Sequence, residues 1–352
     1  MRNGRSSWGG QSRGRRIGVG GGLAPDLGDV PDVSDVLVMA VAPFHHHIGG
    51  GLVTIVLLGL ASAVAYGIAA VLQHDATTKE TPDDVIRLGL VASLARQPLW
   101  LVGNGLDGVG YVLQFMALRR GSLVLVEPLL VLSLVVALPI AAWREHQRIS
   151  LPALASAGAV AAGLGLFLGV ARPGIGLPRV TAEAWIILSA VVAAVCTAVV
   201  VLRNRTTSQN RAAVLLAIGS GVAFGYAAAL TAATGRLLNR GLLHVLTSWE
   251  PYALLVAGAV ALILTQGAFH AGALRLSLPT LTVAQPLVAI AIGLWFGEHI
   301  NTQGLAPLFE ILGLGLVIAG VFALAQTPAI AGLEDGTRDT TSPHTPGPRS
   351  AS

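Results

Sequence analysis

The chain has 352 residues, of which 53% are hydrophobic and only 11% charged, and its mean hydropathy is +0.71. Soluble domains carry about a quarter charged residues, so composition excludes an ordinary soluble enzyme and points to a helical membrane protein. The formal net charge of +4 comes from arginines in loops and tails. In such a protein these report orientation rather than nucleic-acid binding. The single cysteine, Cys196, excludes an intramolecular disulfide and a cysteine-based zinc site. It lies in an apolar run, where a small buried hydrophobe is the plain reading.

Residues 1–50 form a tail in which Arg2, Arg5, Arg13, Arg15 and Arg16 stand among Gly and Ser without helical or strand period, so disorder is expected. Met39 is a second place at which the chain could start. His45-His46-His47 on such a segment hold metal only weakly, and no metal site is assigned. Spans of about 20 apolar residues follow at 52–73, 97–118, 121–143, 151–171, 182–202, 212–234, 251–275, 279–297 and 304–326. In the second span Gly103, Gly105, Gly108 and Gly110 would allow close helix approach. The segment 235–249 has leucines at helical spacing but is too short to cross, and reads as an interfacial helix. The membrane region is thus 51–327, and 328–352, rich in Pro, Thr and Ser, is a second disordered tail.

Lys and Arg in the short loops set the orientation. Lys79, Arg87, Arg96, Arg144, Arg148, Arg203, Arg205, Arg211 and Arg275 outnumber Arg119, Arg120, Arg172, Arg179, Arg236 and Arg240 on the opposite face. The expectation is a multi-pass protein of the plasma (inner) membrane, N-terminus outside and C-terminus cytoplasmic.

Two stretches organise the rest. Gly110–His146 contains Glu127-Pro128 inside an apolar run, and Gln266–His299 contains Gln285-Pro286 in the same place. The two prolines are 158 residues apart, and Ser62–Leu72 matches Ser220–Leu230 at seven of eleven positions with that same shift. Both stretches also end on an aromatic followed by Glu-His: Trp143 before Glu145-His146, and Phe296 before Glu298-His299. Helix 1 then corresponds to helix 6, five crossings later, and an odd number of crossings reverses direction. The expected fold is an all-α polytopic membrane protein of nine transmembrane helices in 4+1+4 inverted repeats: repeat one 52–171, connecting helix 182–202, repeat two 212–326. Many secondary transporters are built this way, with the substrate site near mid-membrane.

The polar residues inside the spans are the candidate site. Asn104, Asp107, Tyr111 and Gln114 recur at spacings of three, four and three, one stripe along a helix. An acid at a helix centre costs about 2.5–3.5 kcal/mol, so the stripe should face the bundle interior. It can either bind a solute or bond neighbouring helices. Glu127 has the same cost, and Pro128 beside it removes a backbone donor and frees the carbonyl of Val124. A carboxylate beside a free carbonyl suits a cation, an amine or a transferable proton. Pro286 repeats the kink without the charge, beside Gln285. Gln266 and His270, one turn apart on helix 7, could bond a ligand, although a buried or interfacial histidine is the plainer reading. Tyr66 and Tyr226 sit at similar depths. Glu145 and Glu298 end helices, where a carboxylate opposes the dipole and calls for a cation partner. Glu310 suits the positive end of the last span.

The 4+1+4 plan, the Leu125, Val126, Pro128 pattern, the Thr265-Gln266 pair and the glutamates ending helices 3 and 8 together resemble the NIPA-type magnesium-transporter branch of the drug/metabolite transporter superfamily. The four-helix unit is also similar to small multidrug-resistance and EamA-type proteins. The resemblance covers residues 52–326 and implies gradient-driven transport of magnesium or another cation. An organic cation or small metabolite is the alternative substrate, and a non-transporting membrane scaffold the alternative class. There is one departure. Where magnesium-type relatives have an acid on helix 2 this chain has Tyr111, with Asp107 one turn earlier, and Glu127 replaces a hydroxyl residue. No phosphate loop, HExxH or nucleophile elbow occurs in the sequence. The expectation is therefore not an enzyme, with no cofactor. The partners expected are the bilayer and a small solute or cation, with a homodimer as an open alternative to a monomer and no nucleic acid.

Overall fold

The computed structural model describes residues 50–77, 98–144, 149–173, 180–271 and 274–326. Eleven helices occur among them and no strand: α1 (Gly50–Thr77), α2 (Pro98–Arg120), α3 (Leu123–Leu130), α4 (Leu132–Arg144), α5 (Leu151–Ala171), α6 (Ala182–Arg205), α7 (Gln209–Leu238), α8 (Leu242–Thr247), α9 (Glu250–Ala271), α10 (Leu274–Trp295) and α11 (Ala306–Ala325). Both tails, His45 to His47 and Glu145 lie outside the described residues.

Local chemistry sets several of these boundaries. Ser122, Ser150 and Thr181 each turn a side-chain oxygen onto the amide three residues ahead, capping α3, α5 and α6. α5 ends on Arg172 in the left-handed conformation, φ 40°, whose N–H returns to the Leu168 carbonyl. Eight segments are long and apolar enough to cross a membrane, α3 and α4 counting together as Leu123–Arg144. The chain is an all-α, multi-pass membrane protein. The remaining expected span, α2, has the length at 23 residues but is not among the eight. Asn104, Asp107 and Gln114 lower its apolarity. The expected interfacial helix over 235–249 is shorter than anticipated: α7 continues to Leu238, and only Leu242–Thr247 is helical beyond it. Its Leu242, Leu243 and Leu246 are exposed.

α1 lies against α2 and α4, α7 against α9 and α10, and α5 against α11. α1 and α2 are antiparallel, since Gly121 meets Ile55 while Gly103 meets Gln73. α7 and α10 run parallel, Gly221 against Ala284 and Gly225 against Val288. Hence the end of α2, the start of α3, the end of α7 and the end of α10 all gather at one end of the bundle. The backbones of α5 and α11 nearly touch: a Cβ on Gly163 would stand 2.6 Å from the Gly313 carbonyl, and one on Gly313 2.8 Å from the Gly163 carbonyl. The glycines of α2 divide by face. Gly103 and Gly110 pack on α1, but Gly105 and Gly108 have nothing within 4 Å, so only half of that run serves close approach.

Candidate functional site

Glu127 is 1% exposed and sits one turn into α3. Its two carboxylate oxygens accept separate amides: Gln114 Nε2 of α2 donates to Oε1 at 2.9 Å, and Gln285 Nε2 of α10 donates to Oε2 at 3.0 Å. Gln114 is itself held, because the Tyr66 hydroxyl of α1 donates to its Oε1 at 2.8 Å. Four helices therefore converge on one buried acid through a chain Tyr66, Gln114, Glu127, Gln285. Gly110 makes room for it, its missing Cβ lying 3.0 Å from the Tyr66 ring. Each carboxylate oxygen thus accepts one N–H. Each oxygen keeps a lone pair for a further donor.

The rest of the stripe on α2 is drawn apart. Asp107 accepts from Gln73 of α1 at 3.0 Å. The Tyr111 hydroxyl stands 3.3 Å from Thr231 of α7. Thr231 gives its proton to the Ala227 carbonyl, so Tyr111 is the donor. Asn104 is exposed and bonds the Trp100 carbonyl of its own helix. The structure thus brings Gln114, Glu127 and Gln285 together, hangs Asp107 and Tyr111 on neighbouring helices, and leaves Asn104 outside. Gln266 and His270 are exposed on α9 beside Leu262 and Ile263, away from the bonded group. The residue that turns inward there is Thr265, whose hydroxyl is 2.6 Å from that of Ser220. One position of helical rotation separates the two outcomes, and apolar neighbours on both faces hid it from the sequence.

Pro128 and Pro286 line the same small apolar gap with Val131, Leu164, Phe167 and Val317. The prolines differ in effect. α3 stops at Leu130 and α4 restarts at Leu132, with the Val131 N–H returning to the Pro128 carbonyl at 3.2 Å, whereas α10 is one helix through Pro286. Tyr66 and Tyr226 also part company. Tyr66 joins the site, but the Tyr226 hydroxyl meets Ser189 of α6 at 2.6 Å. Glu310 is buried in the second turn of α11, with Oε1 unpartnered among the described residues, too far along for the first-turn role expected.

Glu298 does more than the helix-end role expected of it. Its backbone closes α10, and a cation of the kind expected, Arg236 of α7, faces its carboxylate. Its carboxylate crosses to the start of α3 and accepts the amides of Leu123 at 2.9 Å and Val124 at 3.0 Å. Burial pushes this carboxyl above the usual range, while the two amides and the Arg236 guanidinium pull it back.

No family model and no solved structure matches the chain. It is similar to an uncharacterized protein of Corynebacterium glutamicum, 29% identical over 274 residues, which cover 77% of this chain and 94% of the relative. The similarity therefore extends over nearly the whole relative.

Proposed function

We propose that this protein is a gradient-driven secondary transporter that moves a small cationic solute across the plasma membrane by alternating access. One observation carries the reading, the bond from Gln285 to Glu127. These residues are 158 positions apart, and so are Ser62 and Ser220, each of which bonds a carbonyl of the next helix in its set, Gly110 and Ala261. Counterparts in a two-fold repeat that touch each other lie on the axis relating the halves. The contacts of Gly163 with Gly313 and Val317, and of Gly313 with Phe167, are reciprocal in the same way. The reading is then α1, α2, α3 with α4, and α5 as one half, α6 as connector, and α7, α9, α10 and α11 as an inverted second half. A buried carboxylate on the axis is where such transporters place a substrate or coupling ion. The Lys and Arg bias supports an outer N-terminus and a cytoplasmic C-terminus.

Magnesium is the ion that the family resemblance implies. The two amide donors already on Glu127 favour a different cation. Magnesium requires an octahedral set of oxygen ligands and the side chains bonded to Glu127 present N–H groups to it, whereas an ammonium N–H or a proton needs only one of the remaining lone pairs. Organic ammonium solutes exchanged against protons therefore suit the group better. The test is flux in proteoliposomes, with labelled magnesium and a panel of amines supplied separately, for wild type and Glu127→Gln. Amine flux lost on substitution supports the reading. Undiminished flux removes Glu127 from the mechanism, and no flux of any solute favours a membrane scaffold.

A further inference from the structure

At the end of the bundle where α3 begins, the first set of helices (α1–α5) is tied to the second (α7–α11) by polar groups that the transport site does not use. The C-terminus of α10 explains how Glu298 reaches across. Gly297 takes φ 86°, its N–H returns to Leu294 and that of Glu298 to Gly293, the two bonds of a Schellman turn. The turn throws residue 298 back over α10, and Gly293 clears its path: a Cβ there would stand 2.5 Å from Glu298 Oε2. α3 has four amides without helical partners at its start. Glu298 takes those of Leu123 and Val124, and Ser122 takes that of Leu125. The acid is 6% exposed and faces Arg236 of α7, whose charge is also felt by Glu250 at the start of α9. Beside it Arg119 Nε donates to Asn239 Oδ1 at 2.7 Å, and the Asn301 amide donates to the Ala171 carbonyl at 2.8 Å.

We propose that Glu298 is the latch of a gate. It holds the two halves together at this end by supplying, from the second half, the acceptors that the start of α3 lacks. Because α3 carries Glu127 one turn further on, the latch also positions the site acid. Opening this end would separate Glu298 from α3 and leave two amides needing water. The proposal rests on the alternating-access reading for its purpose but not for its geometry.

The experiment is a pair of spin-label distances in the full chain, reconstituted in nanodiscs with Cys196→Ser as background. One pair, Arg120→Cys with Arg240→Cys, reports the latched end. The other, Trp143→Cys with Gln326→Cys, reports the opposite end. Glu298→Ala is expected to shift a large fraction of the first pair to a longer distance. Glu298→Gln, which keeps the shape and one acceptor, should do so to a lesser extent and serves if the alanine variant does not fold. An unchanged first distance in a folded variant overturns the latch. If the first distance lengthens while the second shortens, latch and rocking both hold. If only the first lengthens, the latch holds and the alternating-access reading fails.

Discussion

Glu127-Pro128 and Gln285-Pro286 occupy corresponding places, yet the helices that carry them are built differently. α3 is eight residues long and ends two residues after its proline. α10 is 22 residues long and continues through both Pro279 and Pro286. A short helix gains little from its own ladder, and α3 draws its support from outside: Ser122 at its cap, and Glu298 from just past the end of α10. α10 stands by length. The charged member of the pair therefore sits on the segment whose stability depends on a contact from the end of α10. The uncharged member sits on the segment that does not. In the transporter we propose, that pairing would link the charge to the opening of one end.

Exchanging the two residues breaks the comparison most directly. Glu127→Gln should lower flux by roughly tenfold or more, equivalent to about 1.4 kcal/mol, with an unchanged elution profile on size exclusion. Gln285→Glu alone places two carboxylates about 3 Å apart, and such a pair cannot ionise at both members. It should lower the melting temperature at neutral pH, and the loss should fade on acidification. The double exchange restores a single charge on the axis. We expect it to recover the melting temperature but not the flux, because Gln114 and Tyr66 support only the α3 side. Full recovery of flux would show that the axis matters and the supporting helix does not.

The contact between α5 and α11 tests the other element of the proposed axis. Gly163→Val drives a side chain into the Gly313 carbonyl and should cost roughly 1–3 kcal/mol, the usual range for overpacking. Gly165→Val two residues on meets nothing within 4 Å and should melt like wild type. Equal effects at the two positions would contradict the packing described here. Tyr66→Phe removes the hydroxyl that steadies Gln114. A net loss of about 1 kcal/mol, typical of one hydrogen bond, should appear as a small fall in melting temperature.

The sequence was informative about the fold because the signals are long. Apolar runs survive small errors of register, and the expected span 151–171 coincides with α5 residue for residue. Glu127 and Gln285 were legible for a similar reason: a charge and an amide next to prolines stand out against an apolar background. What failed depended on rotation or on distance through space. Gln266 and Thr265 are neighbours, and sequence period alone does not say which of them faces α7. The link from Glu298 to α3 spans 175 positions and was masked by a plausible local role at the end of α10. The signal that could have revealed it was Gly297, a glycine placed to reverse the chain and aim the next side chain elsewhere.

The finest test of the difference between α3 and α10 uses pH. Burial places the folded-state pKa of Glu298 above its ordinary value. In the unfolded chain it should titrate near the reference for glutamate, about 4.3. Between those two values the folded protein holds a proton that the unfolded chain has released, so stability falls as pH rises through that window. Glu298→Gln has no such proton. The melting temperature of wild type minus that of the variant should therefore decline as pH is raised from about 4, at constant ionic strength. Gln285→Leu, which alters α10 without touching the latch, should leave the slope unchanged. A difference that instead grows with pH would mean that the amides of Leu123 and Val124, with Arg236, outweigh burial. The ionised latch would then be the stable one.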